Sequence, residues 1–173
     1  MATISNIDTY TDYFRQKAVT DPDLLHLPAS ETGDAPVGSQ HFTTWSSMDV
    51  LTGLNQQLAF PALLVEVYET TLHDNGLYDI RGNRQGAFTV LCSAMIGTEG
   101  DKIAAYSKAE AIIWRIIQSM YNDHYGELAD ACSRQFSNLK FDNMVVMPVG
   151  PVQDNEYGWR CEFFFNISNL IIQ

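Results

Sequence analysis

Ile7, Tyr10, Phe14 and Ala18 recur at three- and four-residue intervals, and Ser5 or Asn6 stands where a cap belongs. This spacing predicts an amphipathic helix over residues 7–17 that Pro22 ends. From 21 to 42 the chain turns to Pro, Gly, Ser, Asp and Thr with three prolines and no sustained period. That reads as a long surface arm or loop, and arms of this length commonly pack on a neighbouring subunit. Met48, Leu51, Leu54 and Leu58 form one stripe behind Ser46 or Ser47, which predicts a second helix closed by Phe60-Pro61. Beyond it Leu63, Val65 and Val67 alternate with Leu64, Glu66 and Tyr68, the period of a strand.

Asn75-Gly76 signals a turn, and Arg81-Gly82-Asn83-Arg84-Gln85-Gly86 reads as a second polar, glycine-rich stretch of the same hairpin connection. Phe88, Val90, Cys92, Ala94 and Ile96 then mark the inward side of its second strand. Residues 102–122 carry the clearest helical face, Ala105, Ala109, Ile112, Ile113, Ile116, Ile117 and Met120, with Asp101 as the expected cap. A short helix is expected over 126–136. Residues 144–149 and 159–167 read as a second hairpin with its turn over 150–158, and Trp159, Cys161, Phe163, Phe165 and Ile167 point inward. The order implies an α+β fold: an antiparallel sheet of about four strands in two hairpins, a long helix across one face, and N-terminal helices. Residues 1–59 form the N-terminal helices and extended arm, and 60–173 the α+β core, of what is one domain overall.

Charge narrows the functions open to such a domain. The 173 residues hold 21 acids against 10 bases, a formal charge of −11, and each third of the chain is acidic. A dedicated nucleic-acid reader is disfavoured, because so much negative surface repels phosphate. The longest uncharged stretch, 50–65, is broken by Gly53, Asn55, Gln56, Gln57 and Pro61, so no membrane span is expected. The opening Met-Ala-Thr-Ile-Ser-Asn lacks the pattern of a secretion signal. Cys92, Cys132 and Cys161 are odd in number and widely spaced, which argues for reduced thiols in a cytoplasm.

Residue patterns that carry catalysis fail on inspection. Gly97-Thr98-Glu99-Gly100-Asp101-Lys102 follows a strand and opens a helix, but two residues separate its glycines where a phosphate loop needs four, and its acids would repel the phosphate. A turn and helix cap account for it. Glu66 and Glu69, a conceivable acid pair, would lie on opposite faces of a regular strand. His26, His41, His73 and His124 lie in loops or at a helix end without zinc spacing. Cys92 and Cys161 read as small buried hydrophobes, and Ser107-Lys108 are adjacent where a dyad needs one helix face. No enzyme, cofactor or metal is expected.

The succession of 63–68, 86–97, the Ile-Ile-x-Arg-Ile-Ile helix, Met144-Val-Val-Met-Pro-Val149 and Tyr157-Gly-Trp-Arg-Cys-Glu-Phe163 resembles the tail terminator, or tail-completion, proteins of tailed bacteriophages over about residues 60–170. The resemblance implies a structural virion protein in the tail or neck, assembled in the host cytoplasm. Its subunits form a homo-oligomeric ring, usually a hexamer, that caps the tail tube and joins it to the neck or head connector, with DNA passing through the lumen without specific binding. A head–tail neck protein, the tube cap of a contractile injection system, and a monomeric binding or chaperone-like module are the alternatives. Two arginines in a glycine-flanked stretch of an acidic chain make Arg81, Asn83, Arg84 and Gln85 the expected contact with an adjoining tail or neck protein.

Overall fold

The computed structural model describes residues 6–45, 58–74, 80–94, 98–125, 139–152 and 155–167. In chain order these form α1 (Ile7–Thr20), a 3-10 turn (Pro28–Thr32), β1 (Gln40–Trp45), β2 (Leu58–Asp74), β3 (Ile80–Ser93), α2 (Glu99–Tyr125), β4 (Leu139–Val152) and β5 (Glu156–Ile167). The fold is α+β, with one five-stranded mixed sheet ordered β1-β2-β3-β5-β4. Both expected hairpins form antiparallel pairs, and β3 joins them by pairing with β5.

The fifth strand departs from the expected layout. Gln40–Trp45 runs parallel to β2, from Gln40 opposite Leu58 to Trp45 opposite Glu66. Its Thr-Thr-Trp texture is compatible with a strand, but it follows a proline-rich segment and, running parallel to β2, it is not one arm of a hairpin. The remainder of the expected second helix, and the expected short helix over 126–136, lie outside the described residues. Leu58 and Phe60-Pro61, assigned above to a helix end, begin β2 instead.

The segment after α1 packs on its own domain. Asp21 Oδ1 accepts the backbone N–H of Asp23 (2.9 Å) and of Leu24 (3.3 Å), and the Asp21 carboxylate accepts two bonds from Arg115 of α2 at 2.8 and 3.0 Å. His26 is buried; its Nδ1 accepts the N–H of His41 (3.2 Å), which leaves Nε2 to donate to Glu31 at 2.9 Å. Glu31 also accepts from Arg15 at 2.7 and 3.1 Å. Burial alone would raise the Glu31 pKa, but the hydrogen bonds from Arg15 and His26 outweigh it and hold the carboxyl below its ordinary value. The first part of the expected arm is therefore held to α1, α2 and β1 of its own chain. Because Leu24 and His26 are buried, deleting 22–41 would damage the fold itself.

The helices share one face of the sheet. α1 starts at Asn6, whose Oδ1 accepts the N–H of Thr9 (2.9 Å), and ends against Asp21. α2 is capped by Thr98 rather than Asp101: Thr98 Oγ1 accepts the Asp101 N–H at 3.1 Å, and the acidic first turn suits the helix dipole. Between helices and sheet lie Tyr10, Phe14, Leu63, Val65, Phe88, Val90, Ile112, Ile113, Ile116, Cys161, Phe163 and Phe165. Gly86 is needed where it stands, because a side chain there would meet Phe163 at 2.7 Å and the Tyr10 hydroxyl at 2.8 Å.

Cys92 and Cys161 belong to this core as free thiols. Burial pushes them up to about 11 and about 12. Both are expected to resist a thiol reagent at pH 8 until denaturant is added, read cysteine by cysteine through peptide mass spectrometry. The linkage has a definite sign. Above the ordinary thiol pKa of about 8.5 the unfolded chain loses these protons while the folded chain keeps them, so stability falls as pH rises toward 11. Labelling of Cys161 at native stability would contradict this packing.

Candidate functional site

The face of the sheet turned away from the helices divides in two. Its first half is apolar and buried: Trp45, Ala62, Leu64 and Leu91, flanked by Leu58, Phe60, Val149 and Val152. Its second half is polar and open. Across the strands, register aligns Glu66 with Ala87, Glu162 and Val145, and the next row aligns Glu69 with Gln85, Phe164 and Lys140.

A β-bulge makes this second half. Between the pairs Glu66–Ala87 and Glu69–Gln85, β2 spends two residues, Val67 and Tyr68, where β3 spends only Gly86. The phase of side chains along β2 slips by one. Tyr68 therefore turns to the helix side, where it packs on Tyr10 and Phe165. Val67, which shares the period of Leu63 and Val65, is 51% exposed where those two are buried. Glu69 returns to the face of Glu66, since Ala87 and Gln85 stand two apart on β3. The expectation that Glu66 and Glu69 occupy opposite faces is thus overturned by one inserted residue, and both line a hollow of about 330 Å³ with Gln85 and Arg160.

Arg160 organises the charge of that hollow. Its guanidinium grips Glu66 through two nitrogens, one at 3.0 Å from Oε2, and donates to Glu162 at 3.2 Å. Such a fork holds both carboxylates in place. A broader hollow of about 560 Å³ lies toward β4, lined by Asn83, Lys140, Asp142, Asn143, Met144, Val145 and Phe164. Among the residues that line the two hollows, with Glu162, the acids Glu66, Glu69, Asp142 and Glu162 outnumber the bases Lys140 and Arg160 by two.

The four expected contact residues do not form a solvated tip. Residues 81–85 are inside β3, paired with β2 on one side, and 82–85 with β5 on the other. Asn83 and Gln85 face the open side, in the two hollows just described. Arg84 points the opposite way and is buried, its guanidinium 4.2 Å from the Tyr68 ring centre and 5.9 Å from that of Phe165. Desolvation lowers its pKa from the usual guanidinium value. Arg81 is placed by its backbone, opposite His73. Alternation along a strand separates neighbours that a loop would have presented together.

Other candidates take structural places. His41 Nδ1 donates to the Pro61 carbonyl at 2.7 Å, and His124 packs on Tyr125 and Phe141. Among the described residues no group of three or more His, Cys, Asp or Glu is placed to hold a metal ion. No described helix is long and apolar enough to cross a membrane. In comparisons with known proteins, no family model matches the chain and no curated protein is significantly similar to it.

Proposed function

We propose that the chain is a structural virion protein of the tail-terminator kind, assembling head to tail into a homo-oligomeric ring that caps a tail tube and joins it to the neck. A ring of six is the number the sequence resemblance implies. The observation that carries this reading is the pair of unlike edges on one sheet. β4 is an outer strand with no partner beyond it among the described residues. At the other side β1 stops at Trp45, opposite Glu66, so among the described residues nothing pairs with β2 over 67–74 on that side.

A closed ring needs two different surfaces that meet heterologously, and two dissimilar open edges supply them. Val67 and Leu72 on the β2 edge are 51% and 57% exposed, and Val145 on β4 is 48% exposed. The acidic half-face suits a surface that nucleic acid passes without adhering, since it offers phosphate no net attraction. Of the expected contact residues, Asn83 and Gln85 meet the adjoining tube or neck protein, joined by Glu69 on the same face, while Arg84 supports them from beneath.

Solution mass tests the reading. The full chain should sediment as a discrete multiple of the protomer and show closed rings by electron microscopy. A monomer at every concentration up to roughly 100 μM would reject the ring and favour a binding module using the hollow beside Phe164 and Lys140. Within the ring reading, Asn83→Ala with Gln85→Ala should leave the ring mass unchanged and reduce joining of tails to heads in reconstitution. Arg84→Ala should act differently, lowering stability by about 2 kcal/mol through lost packing and cation–π contact. Undiminished joining in the Asn83/Gln85 double variant would remove the open face from the contact.

A further inference from the structure

The His26 side chain is 0% exposed, and both of its ring nitrogens are engaged. Nδ1 accepts the backbone N–H of His41, at the start of β1, at 3.2 Å, and Nε2 donates to Glu31 of the 3-10 turn at 2.9 Å. The His26 backbone N–H donates to the Ala18 carbonyl of α1 at 3.1 Å, and its ring centre lies 5.6 Å from that of Phe42. One residue thus ties α1, the 3-10 turn and β1 together. The accepting role of Nδ1 fixes the tautomer: the ring is neutral and carries its proton on Nε2.

A further proton has one place to go. It would sit on Nδ1, turning the acceptor of the His41 N–H into a donor that faces it, in a space closed to water. Two opposed donors cannot both be satisfied there, so protonation of His26 and its bond to His41 exclude each other. We propose that this imidazole is an acid-operated clasp: on taking up a proton from solvent it lets go of His41 and frees the start of β1 from the 21–39 segment.

The groups around the ring confine the response to that one bond. On the 3-10 turn, burial pulls the Glu31 pKa up, but hydrogen bonds from Arg15 and His26 outweigh it and hold the carboxyl below its ordinary value; it stays ionised in mild acid and keeps its hold on Nε2. On α1, Arg15 bridges Glu31 and Asp12 and is always charged. Asp21 and Asp23, earlier in the segment, are taken by Arg115 of α2. On β1, the His41 ring donates from Nδ1 to the Pro61 carbonyl at 2.7 Å, a bond that an imidazolium makes as well as an imidazole does. Beyond the clasp, the Leu27 N–H donates to the Ser39 carbonyl at 3.2 Å, the next tie exposed when His41 is released. The sign follows from linkage. A released imidazole in water titrates at about 6.5, so opening is favoured about tenfold more at pH 5.5 than at pH 7.5. None of these residues belongs to the open half-face or to the two free edges, so the clasp stands independently of the ring reading.

Amide hydrogen exchange of the full chain tests it, expressed as protection so that the intrinsic pH dependence of exchange divides out, beside the imidazole nitrogen shifts read by NMR. From about pH 7.5 to 5.5, protection of the His41 amide should fall about tenfold and follow titration of the His26 ring, while the β3 amides, such as that of Phe88, hold theirs within about twofold. His26→Asn keeps an acceptor near the Nδ1 position and does not titrate, so its His41 protection should stay level over the same range. His41→Gln removes the neighbouring imidazole and should leave the response in place. A His26 ring that protonates while the His41 amide stays protected would overturn the proposal without recourse to any variant. Level protection in the parent chain, the same pH response in His26→Asn, or a loss shared equally by β3 would overturn it as well.

Discussion

Replacing Gly158 with alanine is expected to cost at least ~4 kcal/mol of unfolding free energy, since of Gly33, Gly38, Gly86, Gly100, Gly150 and Gly158 it is the one whose added methyl would approach its neighbours most closely. Gly158 stands in β5 opposite Leu91 of β3 and Val149 of β4. A Cβ built there would lie 1.8 Å from the Val90 carbonyl oxygen and 3.0 Å from the Leu91 Cα. These are backbone atoms of the central strand, which cannot rotate away as the end of a side chain can. The added methyl must push β5 off β3 and disturb the pairing that unites the two hairpins. For a chain of this size 4 kcal/mol corresponds to a melting temperature lower by about 10 °C. Urea unfolding of Gly158→Ala beside Gly100→Ala, where the new methyl meets open space, separates the clash from any general effect of losing a glycine. Equal midpoints would refute the close approach.

Phe163→Ala is expected to cost ~3–5 kcal/mol, the range for emptying an aromatic site in a core that cannot fully collapse. Phe163 is fully buried and lies where both layers meet. Its ring centre is 5.8 Å from Phe14, 6.1 Å from Phe88 and 6.0 Å from Phe165. Phe14 comes from α1, so this ring couples the N-terminal helix to the sheet. The Gly86 backbone already closes the floor beneath it. A pair of variants discriminates the mechanism: Phe163→Leu should recover roughly half the loss, because it refills part of the volume. A change below ~1 kcal/mol in Phe163→Ala would show that the aromatic cluster does not hold the layers together.

Much of the helix face of the sheet was legible from residues alone. Trp159, Cys161 and Phe163 alternate with Arg160 and Glu162, and alternation is a local property that survives whatever the strand packs on, although Phe164 beside Phe165 blurs it at the end. The long helix was equally plain, since seven apolar positions at helical spacing leave one way to bury them. The candidate surface was legible only in part. Asn83 and Gln85 were named for a contact and do face the open side, but Arg84 was grouped with them as if residues 81–86 were a loop. Glycine and charge dominate that stretch, and local reasoning had no means of finding that Tyr68 and Phe165 would cover its arginine. Glu69 and Arg160 were missed as members of one hollow, because a bulge leaves little mark on the bulged strand itself. Gly86, the single residue opposed by two, was the one available signal.

The sequence by itself determined the class of fold, the two hairpins, the long helix and the buried thiols, because each follows from periodicity within a dozen or so residues. Only the tertiary structure decided three further things. β1 was placed parallel to β2, a pairing whose partners are 18 residues apart at Gln40 and Leu58 and 21 apart at Trp45 and Glu66. The segment 21–39 was bound to α1, α2 and β1 by ions and imidazoles contributed from distant positions. Glu66 and Glu69 were brought to one face by a change of register. The physical reason is common to all three: each depends on which strand or side chain lies across a gap in space, and neighbours in sequence carry no record of that distance.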